Sequence, residues 1–309
     1  MKRSSSPSDT LVVVAGATGR LGRLLVDSLL AHPGVTVRAL VRDPDDPKVE
    51  GLVREGVELA GFDAVAASDE ARAEVVRGAY SVVSALQGGP EVIVDAQLSL
   101  MRAAKRAGAR RFIASAYSFD FFSLPEGVNL NSDWRRAFAV QARPEPGDAF
   151  EVVHVMQGIF ADAFVLGFLG ALDAERGVVR YWGDGTTPID WTTWEDTARF
   201  TAAAALDERP VPERLYVRGD RMDILTFART WEQAHGRTVT RERLGSLEEL
   251  AQEIERRMAA EPRNMMAWLP LMYARGMYGG KALLGPVLNA RYPEIQAETV
   301  AQAIAHGAV

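Results

Sequence analysis

The chain of 309 residues has no cysteine, which excludes disulfide staples, thiolate nucleophiles and thiolate metal sites together. It has only four histidines, His32, His154, His235 and His306. Their scatter matches no ligand spacing, so no catalytic or structural metal is expected. A surplus of positive charge is also missing. Lys+Arg 35 against Asp+Glu 41 leaves a net charge of −6, so no bulk field draws nucleic acid or an anionic membrane, and no basic stripe interleaves with aromatics. There are no internal repeats. No apolar run reaches the length of a membrane span, and the first ten residues, basic and then Ser- and Pro-rich, lack the apolar stretch of a signal peptide. Residues 1–10 are read as a flexible tail on a chain expected to be cytoplasmic.

What the chain does have begins at Val12-Val13-Val14-Ala15-Gly16-Ala17-Thr18-Gly19-Arg20-Leu21-Gly22, an apolar strand running into three glycines and then a helical pattern. Gly16 permits the tight turn, Gly19 a close approach of backbone to a pyrophosphate, and Gly22 close packing of helix on sheet. The helix N-terminus offers free N–H groups and positive dipole to the phosphates. Leu21, Leu24, Leu25, Ser28 and Leu29 share one helical face, which supports this over an ordinary strand-to-helix turn. Gly16, Thr18, Gly19, Arg20, Leu21 and Gly22 are therefore candidate cofactor contacts.

About twenty residues on, where an acid usually meets the ribose 2′-hydroxyl of NAD, the strand Val35 to Val41 ends in Arg42. A guanidinium there suits a 2′-phosphate, with Arg20 and Lys48 completing a basic pocket. The alternative is a solvated strand-end charge. Asp43 is the adjacent complication, because an inward carboxylate would favour NAD.

Strands and amphipathic helices continue to alternate. Val57 to Asp63 reads as a third strand, Asp69 to Gly78 as a short helix, Tyr80 to Leu86 as a fourth strand, Val92 to Ala107 as a helix and Arg111 to Ser115 as a fifth strand. This succession predicts an α/β fold with a doubly wound parallel Rossmann sheet over 11–160. A smaller C-terminal α+β substrate lobe is expected over 161–309, with some strands able to return to the Rossmann sheet. Ligands sit beyond the carboxyl ends of such strands, which adds Leu86, Gln87, Gly88, Ser115 and Ala116 to the cofactor set.

The run Asp95 to Ser115 resembles the helix-to-strand segment of the NmrA-like and isoflavone-reductase-like proteins, which are atypical short-chain dehydrogenases. So do Ala116-Tyr117-Ser118-Phe119-Asp120, Gly158-Ile159-Phe160-Ala161-Asp162, Tyr181-Trp182-Gly183-Asp184-Gly185 with Asp190-Trp191-Thr192-Thr193, and Arg291-Tyr292-Pro293-Glu294 before Thr299-Val300. The resemblance spans nearly the whole chain from about residue 11. It implies an NADP(H)-binding Rossmann lobe, with a C-terminal lobe over the nicotinamide. Members of the family include aromatic-compound reductases, ketoreductases and regulators that bind the nucleotide without chemistry.

Most short-chain dehydrogenases pair a tyrosine with a lysine four residues later, which lowers the phenol's pKa for proton transfer. No tyrosine here has that partner. The isoflavone-reductase branch instead places a lysine on the helix after the fifth-strand loop; this region here reads Asp133-Trp134-Arg135-Arg136-Ala137-Phe138, and no lysine lies between Lys105 and Lys281. Two readings follow. One is an NADPH-dependent reductase of a carbonyl or conjugated group on a small, aromatic or polyketide-like substrate, working as a monomer or homodimer. The other is a non-catalytic NADP(H)-sensing regulator that binds a protein partner. Catalytic candidates are Tyr117, Asp120 and His154, with turn capping and core packing as their alternatives. Substrate-pocket candidates are Ser118, Phe119, Gln157, Phe160, Met272, Tyr273, Met277 and Tyr278, the last four beside Gly276, Gly279 and Gly280, which could hinge a lid or leave the cluster as plain core.

Overall fold

The computed structural model describes residues 10–309, and the part of the expected tail before Thr10 lies outside them. The described chain divides into two compact units, each assembled from three stretches: 10–116, 134–155 and 198–215 in the first, 117–133, 156–197 and 216–309 in the second.

The first unit opens with β1 (Thr10–Ala15), α1 (Arg20–Leu30), β2 (Val35–Val41), β3 (Val57–Gly61), α2 (Asp69–Val75) and β4 (Ser81–Ser84). A π-helical turn at Glu91–Ala96 passes into α3 (Gln97–Arg106). Then come β5 (Arg111–Ala114), α4 (Leu130–Ala142) and β6 (Glu151–Met156). The remaining elements, in chain order, are β7 (Ile159–Phe160), α5 (Ala163–Phe168), β8 (Leu172–Asp173), β9 (Val178–Trp182), β10 (Ile189–Thr192), α6 (Trp194–Leu206), β11 (Arg214–Tyr216), β12 (Asp220–Met222), α7 (Ile224–His235), β13 (Thr240–Gly245), α8 (Leu247–Ala260), α9 (Met265–Tyr278) and α10 (Val300–Ala305).

The large sheet has the order β11-β6-β5-β4-β1-β2-β3, and the pairs from β3 to β6 are parallel. Val12, Val13 and Val14 are wholly buried, because a parallel sheet covered on both faces takes an unbroken β-branched run rather than an alternating one. The order reverses between β1 and β4. That switch point is where doubly wound sheets bind ligands.

The second unit holds two three-stranded sheets, β12-β10-β7 and β13-β9-β8. Its core gathers Trp191, Phe227, Trp231, Trp268 and Met272, with Trp191 stacked on Phe227 at 5.1 Å between centroids. Segments that resemble the family meet here. Gly158, at φ +83, passes so close to β10 that a Cβ would stand 2.2 Å from the Asp190 carbonyl, and the Thr192 hydroxyl donates to the Gln157 carbonyl at 2.7 Å. The Asp190 carboxylate accepts from Arg218, from both Nε and Nη2 of Arg221, and from the Leu284 N–H. α8 starts in a capping box between Ser246 and Glu249. α9 runs through Gly276, while Gly279 and Gly280 lie beyond its end. Gly276 is there for packing: a Cβ would meet the Phe119 ring at 2.8 Å.

Candidate functional site

The glycine turn after β1 is built as its spacing requires. Gly16 sits at φ +81, and a Cβ on it would stand 2.7 Å from the Ala85 carbonyl, so the loops after β1 and β4 abut. A Cβ on Gly22 would lie 2.1 Å from the Gly16 carbonyl and 2.8 Å from Ala17 Cα. Gly19 caps α1 in extended backbone, with no side chain bonded to the helix's first N–H groups and no acid in the first turn. By contrast, Ser68, Asp162, Asp223, Ser246 and Thr299 cap their helices with side-chain oxygens. Bare backbone donors and missing Cβ atoms together fit an anionic diphosphate.

Arg42 lies exposed just after β2; the Asp63 carboxyl, held below its ordinary value first by the Ala66 and Val65 N–H groups, is lowered further by the Arg42 charge. The Asp43 carboxylate is turned into its own loop and accepts the Asp45 N–H at 2.9 Å. Lys48 is exposed; its N–H donates to Asp46 and its carbonyl accepts from Arg23, which also reaches the Thr18 carbonyl. Leu86 and Ser115 are tied together, the Ser115 hydroxyl donating to the Leu86 carbonyl at 2.7 Å, while Gln87 and Gly88 are exposed. The Ser115 N–H donates to Gln97 Oε1 at 2.7 Å, and Gln97 Nε2 donates to the Ile93 carbonyl. Arg135 Nε donates to the Ser115 carbonyl at 3.3 Å. Gln97 went unnoticed in the sequence; its signal was a polar residue on the buried face of α3. Ala116 is buried just beyond β5.

The three catalytic candidates stand in different surroundings. Asp120 accepts from the Phe122 N–H, the Ser123 hydroxyl and the Tyr216 hydroxyl, at 3.0, 2.6 and 3.2 Å. Tyr117 is buried directly after Ala116. His154 lies in β6, edge-on to Phe138 at 5.9 Å, beside a cavity of about 270 Å³ that Phe150, Val152 and Val211 also line. Burial, with the positive charge of Arg214, pulls its pKa from 6.5 down to about 3.

That shift makes a pH prediction. Between these two values the unfolded chain binds a proton at His154 and the folded chain does not, so stability falls as pH drops below 6.5. From pH 7 to pH 5 this one residue should cost about 2 kcal/mol. Denaturant melts of His154→Leu should show an acid loss smaller by that amount, and an equal loss in both proteins would refute it.

Substrate-pocket candidates all belong to the second unit. The Ser118 carbonyl accepts from the N–H groups of both Gln157 and Gly158. Phe119 meets Tyr273 edge-on at 6.0 Å, and Phe160 stacks on Trp194 at 3.4 Å. Met272, Met277 and Tyr278 are buried in the unit's core, where burial raises the Tyr278 phenol well above its ordinary value. Tyr273 is half-buried.

Gln157 is wholly inaccessible, yet neither its Oε1 nor its Nε2 meets a hydrogen-bond partner among the described residues. Such a group costs roughly 1–3 kcal/mol when left unsatisfied. Gln157→Met, similar in volume, should therefore raise the melting temperature by about 2–4 °C. A lower melting temperature would show that the amide is satisfied in the folded protein.

Among the described residues no group of His, Asp and Glu could hold a metal ion, and no helix is long and apolar enough to cross a membrane. The sheet order and glycine-lined turn define the class: a Rossmann-type fold with a glycine-lined turn at its switch point. The model of the NmrA-like family matches residues 8–123. Isoflavone reductase homolog A622 of Nicotiana tabacum is 27% identical over 243 residues, 74% of this chain and 75% of that protein. Isoflavone reductase homolog IRL of Zea mays is 30% identical over 248 residues, 75% and 76% of the two chains. The solved structure of AtPrR2 with NADP+ and (+)pinoresinol shares the fold, with a TM-score of 0.80 at 22% identity over 96% of this chain and 98% of that one. The chain belongs to the NmrA-like family, in its isoflavone-reductase-like group.

Proposed function

We propose that the protein is an NADPH-dependent reductase of a carbonyl or conjugated group on a small, aromatic or polyketide-like substrate, working in the cytoplasm as a monomer or homodimer. The observation that carries the cofactor is Arg42, exposed at the end of β2 beside an Asp43 whose carboxylate is committed to its own turn. An exposed guanidinium suits a 2′-phosphate, with Asp63 the acid whose charge it feels. Gly16, Gly19, Gly22 and the first turn of α1 would hold the pyrophosphate, with Thr18, Arg20 and Leu21 alongside. When bound, the cofactor supplies a hydride. The chain's part is to hold and orient, with the oxygen-bearing end of the substrate read by a polar group such as the Ser118 hydroxyl and its rings packed by half-buried Phe160 and Tyr273.

The missing lysine favours a second reading, a sensor that binds NADP(H) and docks a protein. A library of carbonyl and conjugated compounds, followed by loss of the near-ultraviolet absorbance of NADPH, separates the two. Turnover of one member establishes the reductase; tight NADPH binding with no turnover supports the sensor.

A further inference from the structure

A cavity of about 410 Å³ opens within the second unit, between the loop at 124–128, the start of α8 and the end of α9. Its volume falls in the roughly 300–1,000 Å³ range of small-molecule sites. None of the cofactor, catalytic or substrate-pocket candidates lines it. One wall is apolar. Leu124 is buried, Val128 and Leu247 are half-buried against the unit's core, and Ala251 follows Leu247 by one helical turn, so the two share a face.

The opposite charge character comes from α9. Arg275 lines the cavity from the last turn of that helix, and Lys281 from just beyond it. A basic residue in a last turn answers the helix dipole, and on that account alone its head would stand in bulk water. Arg275 is instead half-buried, and its side chain makes no hydrogen bond or ion pair among the described residues. Lys281 makes none either, and is exposed. A guanidinium carries five N–H donors in a planar fork that matches a carboxylate. Two acids also line the cavity. Glu248 belongs to the first turn of α8, where its own N–H and the Ser246 hydroxyl hold its carboxyl below the ordinary value. Glu126 is exposed, and its charge opposes an anionic ligand.

We propose that this cavity binds a small carboxylate with an aromatic or branched apolar body. Arg275 holds the carboxylate, Lys281 adds charge, and the body packs on Leu124, Val128, Leu247 and Ala251. The proposal uses none of the residues of the reductase reading and does not rest on it.

The test is titration of the full chain with 2-naphthoate and with 2-naphthamide, which keeps the rings and removes the charge, followed by ligand-observed NMR. The acid should bind with a dissociation constant below about 1 mM, and the amide at least about tenfold more weakly. Arg275→Gln should lower 2-naphthoate affinity roughly 10- to 150-fold and leave the amide unaffected. Its melting temperature should barely move, because no protein contact is lost. Glu126→Gln should tighten the acid by up to about fivefold, a gain that a structural role would not give. Ala251→Phe fills the apolar wall and should exclude both compounds, with a thermal melt to show that the variant is folded. No binding of 2-naphthoate, equal binding of acid and amide, or undiminished binding of the acid by Arg275→Gln would each overturn the site. So would full binding by a folded Ala251→Phe.

Discussion

Gly22→Ala should abolish measurable NADPH binding, lowering affinity by at least about 100-fold and destabilising the protein as well. The new methyl would sit 2.1 Å from the Gly16 carbonyl oxygen and 2.8 Å from Ala17 Cα. Both contacts are backbone, so no rotamer change relieves them, and α1 must move off the turn that it closes. Overpacking of this kind costs roughly 1–3 kcal/mol and sometimes more, and the displaced atoms are the ones proposed to face the pyrophosphate. Gly19→Ala is the control. Its Cβ would meet only the Gly16 carbonyl, at 3.4 Å, so the melting temperature should hold while NADPH affinity drops, because the methyl stands where phosphate approaches. Thermal melts and fluorescence titration on both variants check this; Gly19→Ala binding NADPH like the parent would remove the cradle from the cofactor site.

Arg42→Ala should weaken NADPH by roughly 1.5–3 kcal/mol, the range for a hydrogen bond to a charged group, which is about 10- to 150-fold. NADH should change little. Arg42 is exposed and acts on Asp63 only through a solvent-screened attraction, so the melting temperature should barely move. Equal affinity of the unmutated protein for the two nucleotides would contradict the assignment, because then the 2′-phosphate contributes nothing.

The first unit was legible in the sequence wherever a local period coincided with burial. The strand expected at Val35 to Val41 forms over those residues, and those expected at Val57 to Asp63 and Tyr80 to Leu86 form in shorter versions, Val57–Gly61 and Ser81–Ser84. The helix expected from Val92 opens instead as a π-helical turn from Glu91 before α3 begins, a change of pitch that apolar spacing does not reveal. Much of the second unit was not legible, because β7 and β8 have two residues each and β13 is mostly exposed. Strands so short or so solvated carry no alternation to read.

The sequence alone determined the βαβ succession, the glycine-lined turn and the arginine at the end of β2. Each is set within a few residues, by burial on both faces of a parallel strand or by backbone that tolerates no Cβ. Only the tertiary structure decided how the chemistry-bearing side chains are engaged. It turned Asp43 into its own loop, set Gly276 against the Phe119 ring, left the Gln157 amide without a described partner and joined Asn131 to Tyr273 across 142 residues of chain. The reason is physical: a hydrogen bond between side chains on α4 and α9 depends on how the intervening elements pack, and nothing in the spacing of either helix encodes its partner.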